Sequence, residues 1–349
     1  MSIKKLSRQS EIVSKWKSNN VLLSICCITY NHEKFIAEAL DSFLIQETNF
    51  AYEIVIGEDC SSDNTLKIIN SYRQKYPDII KLVTGEYNVG VSENLKRTLA
   101  KCGGDYIAYC EGDDYWTDPH KLQKQVDFLE NNFEYVICYT DVKAIDENGG
   151  SIDDYVGGAE CDLASIEMLR GAPINTLTTV FRNVIKGFPP EFNFTMIADM
   201  FIWSLLSEYG QGKYLEGVSP SIHRRHGGGV HSLVGEKHRS LMNLTLFSSL
   251  LKYHYRKGCS DDLKNYFLGK IDTCLNGVTL EKISSSNKKD EIIKNNEILI
   301  REKSNAIKYL EKDLCDYKEQ VNRIYDSLGW KITKPLRVGI RLIRRIFFK

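Results

Sequence analysis

The chain lacks an excess of either charge, its 349 residues carrying 46 Lys and Arg against 46 Asp and Glu. A nucleic-acid partner, which calls for a basic surplus, is therefore not indicated. No two of the ten cysteines stand in a CxxC spacing, so the pattern offers no zinc site. Several of them (Cys26, Cys27, Cys110, Cys138) fall inside apolar runs, where a reduced cysteine acts as a small hydrophobe. Residues 1–20 hold no apolar stretch long enough for a signal peptide or a membrane span, and the expected location is cytoplasmic. The first loop, Tyr30-Asn31-His32-Glu33, is not the glycine-rich basic phosphate loop that a nucleotidyltransferase would want. What is present is a 42% hydrophobic composition in a chain long enough to bury a full core.

The apolar pattern alternates between two periods. Residues 22–29 form a β-rich run that stops at Tyr30-Asn31-His32, and a helical pattern follows over 33–44. A second strand is predicted over 52–57, with Ser62 or Asp63 capping a helix that runs to Tyr76. A third strand is expected over 79–84, then a turn and helix start at Asn88-Val89-Gly90-Val91-Ser92, then a fourth strand over 105–110. Strands alternating with helices imply an α/β fold with a mostly parallel sheet flanked by helices. In such sheets ligands bind beyond the carboxyl ends of the strands, where the polar clusters of this chain fall.

The fourth strand runs into Glu111-Gly112-Asp113-Asp114-Tyr115-Trp116. Three carboxylates so close resist joint ionisation unless a cation offsets their charge, and a hard divalent ion such as Mg²⁺ or Mn²⁺ suits oxygen ligands. An acidic surface turn is the plainer alternative.

In order, Thr29-Tyr30-Asn31, Glu58-Asp59-Cys60-Ser61-Ser62-Asp63-Asn64-Thr65, Asn88-Val89-Gly90-Val91-Ser92 and Gly104-Asp105-Tyr106-Ile107 leading to Glu111-Gly112-Asp113-Asp114 make the chain resemble the inverting glycosyltransferases of family 2, which have the GT-A fold. The likeness continues through Trp116-Thr117-Asp118-Pro119-His120-Lys121-Leu122 and, more weakly, to about residue 230. It implies that Asp59, beside Glu58, meets the nucleobase of a sugar nucleotide, with Thr29, Tyr30 and Asn31 on the other side of that pocket. Asp113 and Asp114 would match the metal and ribose contacts of the DxD-type motif, whose first position is Glu111 here. Asn94-Leu95-Lys96 stands where many members have Ala-Arg-Asn. An inverting transfer also needs a base for the acceptor hydroxyl, for which a carboxylate suffices. The family's late acidic motif is matched best by Ile197-Ala198-Asp199-Met200, which makes Asp199 the catalytic candidate; a helix N-terminal charge is the alternative. In His223-Arg224-Arg225-His226-Gly227-Gly228-Gly229-Val230-His231, a cationic glycine-rich loop, Arg224 and His226 would close on the diphosphate, and His226 could meet the metal; a surface loop is the alternative, above all for His231.

The resemblance thus implies a metal-dependent (Mn²⁺ or Mg²⁺) transfer from a nucleotide diphosphate sugar, foremost a UDP-sugar, to a hydroxyl of a glycan or lipid-linked glycan in bacterial surface polysaccharide synthesis. A non-catalytic membrane-associated scaffold is the alternative from another class. The domain expectation is an N-terminal extension (1–19), the GT-A domain (20–231), a helical segment (232–285), a coiled-coil-like helix (286–328) and a basic tail (329–349). Ile293, Ile300, Ile307, Leu314, Val321 and Leu328 recur every seven residues, with Asn296 and Lys303 at inward positions, which suits a coiled-coil homo-oligomer or a helix packed on its own domain. After Pro335 a helix would put Leu336, Ile340, Ile343 and Phe347 on one face beside Arg337, Arg341, Arg344 and Arg345. Such a helix fits peripheral contact at the inner face of the cell membrane, or docking on a protein.

Overall fold

The computed structural model describes residues 6–152, 156–227 and 235–284. Met1–Val278 form one compact unit, which holds the site described below, and Thr279–Lys349 a second. The heptad series, the basic tail and His231 lie outside the described residues.

A short helix α1 (Gln9–Val13) precedes β1 (Val21–Thr29), α2 (Ile36–Leu44), β2 (Ala51–Glu58), α3 (Thr65–Lys75), β3 (Ile80–Val83), α4 (Val91–Leu99) and β4 (Tyr106–Tyr109). Then come α5 (Lys121–Asn131), β5 (Tyr135–Tyr139), the antiparallel pair β6 (Val142–Asp146) and β7 (Ser151–Ile152), α6 (Ser165–Leu169) and β8 (Val180–Arg182). The described part closes with α7 (Ala198–Leu206), β9 (Gln211–Tyr214), β10 (Ser221–Arg225), α8 (Glu236–Arg256) and α9 (Asp261–Ser284).

The main sheet has the order β3-β2-β1-β4-β8-β5-β9, and β8 alone runs against its neighbours. Both faces are covered, which is why β1 reads as a continuous apolar run. Side chains alternate along it. Cys26 and Ile28 pack with Leu95 of α4, Phe201 and Trp203 of α7, Leu246 of α8 and Phe267 of α9. Ile25 and Cys27 pack on the other side with Leu40 and Phe43 of α2, Ile69 of α3 and Val126 of α5. Cys26, Cys27, Cys110 and Cys138 are free thiols inside these layers, as the composition predicts.

From β1 the chain winds through β2 to β3 on one side, then crosses to β4 on the other. The reversal opens a crevice at the carboxyl ends of β1 and β4, where an open α/β sheet binds ligands. The segment 223–225, expected as a loop, instead contributes to β10, which pairs in parallel with β6 in a second sheet. Its charged residues have little strand propensity, and the pairing with β6 supplies the hydrogen bonds that define it. Among the described residues no helix is long and apolar enough to cross a membrane.

Candidate active site

Four loops converge on the crevice, and each is locked before any ligand arrives. After β1 the backbone turns through Asn31 at φ 55°, a left-handed conformation that Asn tolerates. The Asn31 Oδ1 accepts from the Ser62 amide at 2.9 Å, and the Asn31 amide donates to Ser61 Oγ at 3.0 Å. The His32 amide donates to Thr65 Oγ1 at 2.8 Å, so the β1–α2 and β2–α3 loops hold each other. Thr29 is buried at the strand end, whereas Tyr30 is 44% exposed.

Glu58 and Asp59 end β2 and are both buried. Glu58 accepts from the Ser61 amide at 2.6 Å, the Cys60 amide at 3.2 Å and Thr84 Oγ1 at 2.9 Å, so its carboxylate holds the loop in which Cys60 sits at φ 60°. Asp59 accepts from the amides of Val89 and Gly90, each at 2.9 Å, and from Arg97 Nη2 at 3.2 Å. Arg97 also donates to the Glu58 carbonyl at 2.8 Å and to Asn94 Oδ1 at 2.9 Å. In place of an arginine directly after Ser92, the chain sets Arg97 at the C-terminal end of α4 against Asp59. Its position was readable in the sequence, but its reach to Asp59 depends on the α4–β2 packing.

The acidic loop after β4 presses against β1, its Gly112 amide donating to the Ile28 carbonyl at 3.0 Å. A Cβ on Gly112 would lie 2.7 Å from Thr29 Oγ1 and 2.9 Å from Ile36 Cδ1. Gly112→Ala is expected to destabilise the fold by about 1–3 kcal/mol through overpacking, read as a lower urea midpoint with an unchanged slope.

The three carboxylates face different partners. Glu111 accepts from Thr176 Oγ1 at 2.8 Å. The turn carrying Thr176 is fixed from beneath, where Trp116 Nε1 donates to the Leu177 carbonyl at 2.7 Å and the fully buried Lys121 Nζ to the Thr178 carbonyl at 2.9 Å. Asp114 is buried, accepting from the Arg224 amide at 2.8 Å and lying 3.4 Å from His223 Nδ1. Asp113 stays partly open at 17% side-chain exposure, with its Oδ2 3.0 Å from His226 Nε2 and 3.7 Å from His32 Nε2. One donor atom from each of His32, Asp113 and His226 lies within 4.8 Å of the others, a spacing that a single cation could bridge. Two buried polar atoms here, Thr29 Oγ1 and His32 Nδ1, have no hydrogen-bond partner.

Burial pushes the Glu111 carboxyl up, and the charges of Asp114 and Asp113 add to it, to about 8. Burial also raises Asp114, against the pull of His223 and with the push of Asp113. Burial acts the same way on Asp113, but the His226 hydrogen bond and the nearby imidazoles outweigh it, and that carboxyl falls below its usual range. Asp113 is thus the member of the cluster whose ionised form its neighbours favour. Glu111 retains in the folded state a proton that the unfolded chain releases near 4.5, so its contribution to stability is complete below that pH and is lost as pH rises to about 8. Glu111→Gln should flatten that decline in metal-free protein, by on the order of a few kcal/mol, in urea titrations across the window.

β10 completes the site. Tyr115 and Ile222 exchange backbone hydrogen bonds at 3.2 and 2.8 Å, which stitches the acidic loop to the strand. Arg224 donates from Nε to the Asp113 carbonyl at 3.2 Å, pairs with Glu38, and lies over the rings of Phe35 and Tyr115 at 4.9 and 5.7 Å. Its guanidinium therefore clamps β10 to α2 and the loop. His226 is buried, with its ring 4.9 Å from that of Phe35. Asp199, half-buried in the first turn of α7, is felt at Tyr109: burial, then the charges of Glu111, Cys26 and Asp199, push that hydroxyl well above its usual range. The structure thus brings Asp113 and His226 together with His32, which the sequence reading left without a role, and turns Glu111 and Asp114 toward Thr176 and β10.

A GT-A-type sheet with an acidic loop at its topological switch point defines the class. Staphylococcus aureus TarS residues 1–349, solved with UDP-GlcNAc, share this fold, with a TM-score of 0.54 at 18% identity over 78% of this chain and 77% of that one. The family described as glycosyl transferase family 2 matches residues 24–158. The putative glycosyltransferase EpsE of Bacillus subtilis is 32% identical over 196 residues, 54% of this chain and 67% of that protein. The chain belongs to glycosyl transferase family 2. An uncharacterised Mycobacterium tuberculosis protein is 43% identical over 133 residues, and the match spans 38% of the length of each. The Escherichia coli UDP-Glc:alpha-D-GlcNAc-diphosphoundecaprenol beta-1,3-glucosyltransferase WfgD is 28% identical over 187 residues, 53% of this chain and 69% of that protein.

Proposed function

We propose that this chain is a metal-dependent inverting glycosyltransferase that moves a sugar from a UDP-sugar to a hydroxyl of a glycan acceptor in bacterial surface polysaccharide synthesis. The observation that carries the reading is that Asp59, just after β2, and the Asp113–His226 pair, beyond β4, stand at the carboxyl ends of the two strands that flank β1 in a family 2 fold. The nucleobase end belongs to Asp59, with Thr29, Tyr30 and Asn31 opposite, and Glu58 holds the loop that presents Asp59. Asp113 and His226 would hold the divalent ion, whose charge would offset that developing on the leaving diphosphate. Arg224 acts by fixing β10 against the acidic loop. Asp199 takes the proton of the acceptor hydroxyl as that oxygen attacks the sugar from the face opposite the nucleotide. A lipid-linked acceptor suits a protein working at the inner face of the membrane, where the basic tail of residues 329–349 would add contact; the heptad series would make a homo-oligomer. The acceptor class is favoured by the likeness to WfgD, whose name gives a diphosphoundecaprenol-linked acceptor.

A thermal-shift panel of UDP, GDP, dTDP and CMP, each with and without Mn²⁺, tests the donor class. UDP at about one hundred times its Kd should stabilise the fold by about 2.7 kcal/mol, with Mn²⁺ required. UDP release from UDP-glucose or UDP-GlcNAc in the presence of membrane glycolipid, with the anomeric configuration read by NMR, tests the transfer. Absence of any nucleotide response would favour the scaffold reading instead.

A further inference from the structure

We infer that His32 is a third protein ligand of this metal site, giving two imidazoles and one carboxylate, a centre that loads a first-row transition ion before any nucleotide binds and discriminates against Mg²⁺. The inference deepens the reading above and rests on it for the purpose of the site, but the binding of the ion is independent of transfer. His32 Nε2 points at the same Asp113 oxygen as His226 Nε2, at 3.7 and 3.0 Å. Donors around one ion with bonds of about 2.1 Å stand about 3–4 Å apart, so small adjustments suffice. The two imidazole rings meet edge-on at 5.8 Å and 86°, each against Phe35, so both are held in place rather than free to swing to solvent.

His32 is also preset from behind. Its amide is anchored on Thr65 Oγ1, and the left-handed turn at Asn31 is pinned by Ser61 and Ser62. The other carboxylates of the loop have partners of their own, Glu111 in Thr176 and Asp114 in the Arg224 amide and His223. A site of one carboxylate and two imidazoles is a poor match for Mg²⁺, which favours oxygen ligands and keeps much of its water. Imidazole suits the later first-row ions, and with three protein donors the nucleotide phosphates are no longer needed to build the site.

The probe is Co²⁺, followed by calorimetry and by its visible absorption, on the full chain without nucleotide. Saturable one-to-one binding that excess Mg²⁺ does not reverse is expected. His32→Ala and His32→Phe, the second keeping a ring against Phe35 and His226, should each weaken Co²⁺ by roughly tenfold or more and change the absorption band, with metal-free melting curves like the parent's. Unchanged Co²⁺ affinity in the folded His32→Phe protein would overturn the assignment, as would ready displacement by Mg²⁺ or a need for nucleotide. Co²⁺ binding that depends on His32 in a protein giving no response to any UDP-sugar would leave the site standing and remove the transferase reading. Mg²⁺-supported transfer untouched by His32→Phe would do the reverse.

Discussion

Asp113→Asn is expected to lower turnover by about 10³-fold, the size of effect seen when a group stabilising transition-state charge is removed. The substitution keeps shape and an oxygen that can accept from His226 Nε2, now 3.0 Å from Asp113 Oδ2, so the fold should survive. What disappears is the partly open carboxylate whose ionised form its imidazole neighbours favour, and with it the ion that would face the diphosphate. Initial rates against UDP-sugar, together with Mn²⁺-dependent stabilisation by UDP, should both collapse in the same variant. Asp114→Asn is the informative contrast. Both its oxygens are engaged by β10, so its first effect should be a lower melting temperature. If Asp113→Asn turned over like the parent while Asp114→Asn were dead but folded, the ion would have to be moved to Asp114.

Asp199→Asn should cost about 10²–10⁴-fold in kcat, the range for a positioned general base, with KM for the donor little changed. Its place in the first turn of α7 offers a second role, as a charge favoured by the helix dipole. The two roles separate cleanly. A dipole charge alone would be worth about 0.3–1 kcal/mol of stability and nothing in turnover. Loss of kcat with intact Mn²⁺-dependent UDP stabilisation would assign the base, whereas full activity with a slightly lower melting temperature would leave Asp199 as a helix charge.

How much was legible follows from which interactions are local. β1 and β2 announce themselves because both faces are buried, so the apolar run is long and its polar end abrupt. β8, three residues inserted between β4 and β5, has no signal of its own; its place is set by neighbours distant in sequence. β10 hid for a different reason. His223 and Arg224 look like part of a solvated loop until Asp114 and Glu38 supply the charges they meet. The carboxylates of the acidic loop could be found in sequence by their crowding, but their division of labour could not, because it depends on which faces Thr176, which β10 and which the two imidazoles. His32 stood in plain view at the end of β1, yet nothing local distinguishes it from any polar residue of a loop.

The stitching of the acidic loop to β10 has a practical consequence for anyone shortening this protein. The family match ends at residue 158, well before β8, β9 and β10. A fragment cut there would keep the strands that carry Asp59 and Asp113 but strip β8 from the open edges of β4 and β5, exposing unpaired backbone beside Ile107, Ala108 and Ile137. Such bare edges pair with one another between molecules. The expected product of that truncation is an aggregate, with half of the crevice missing, rather than a minimal folded unit.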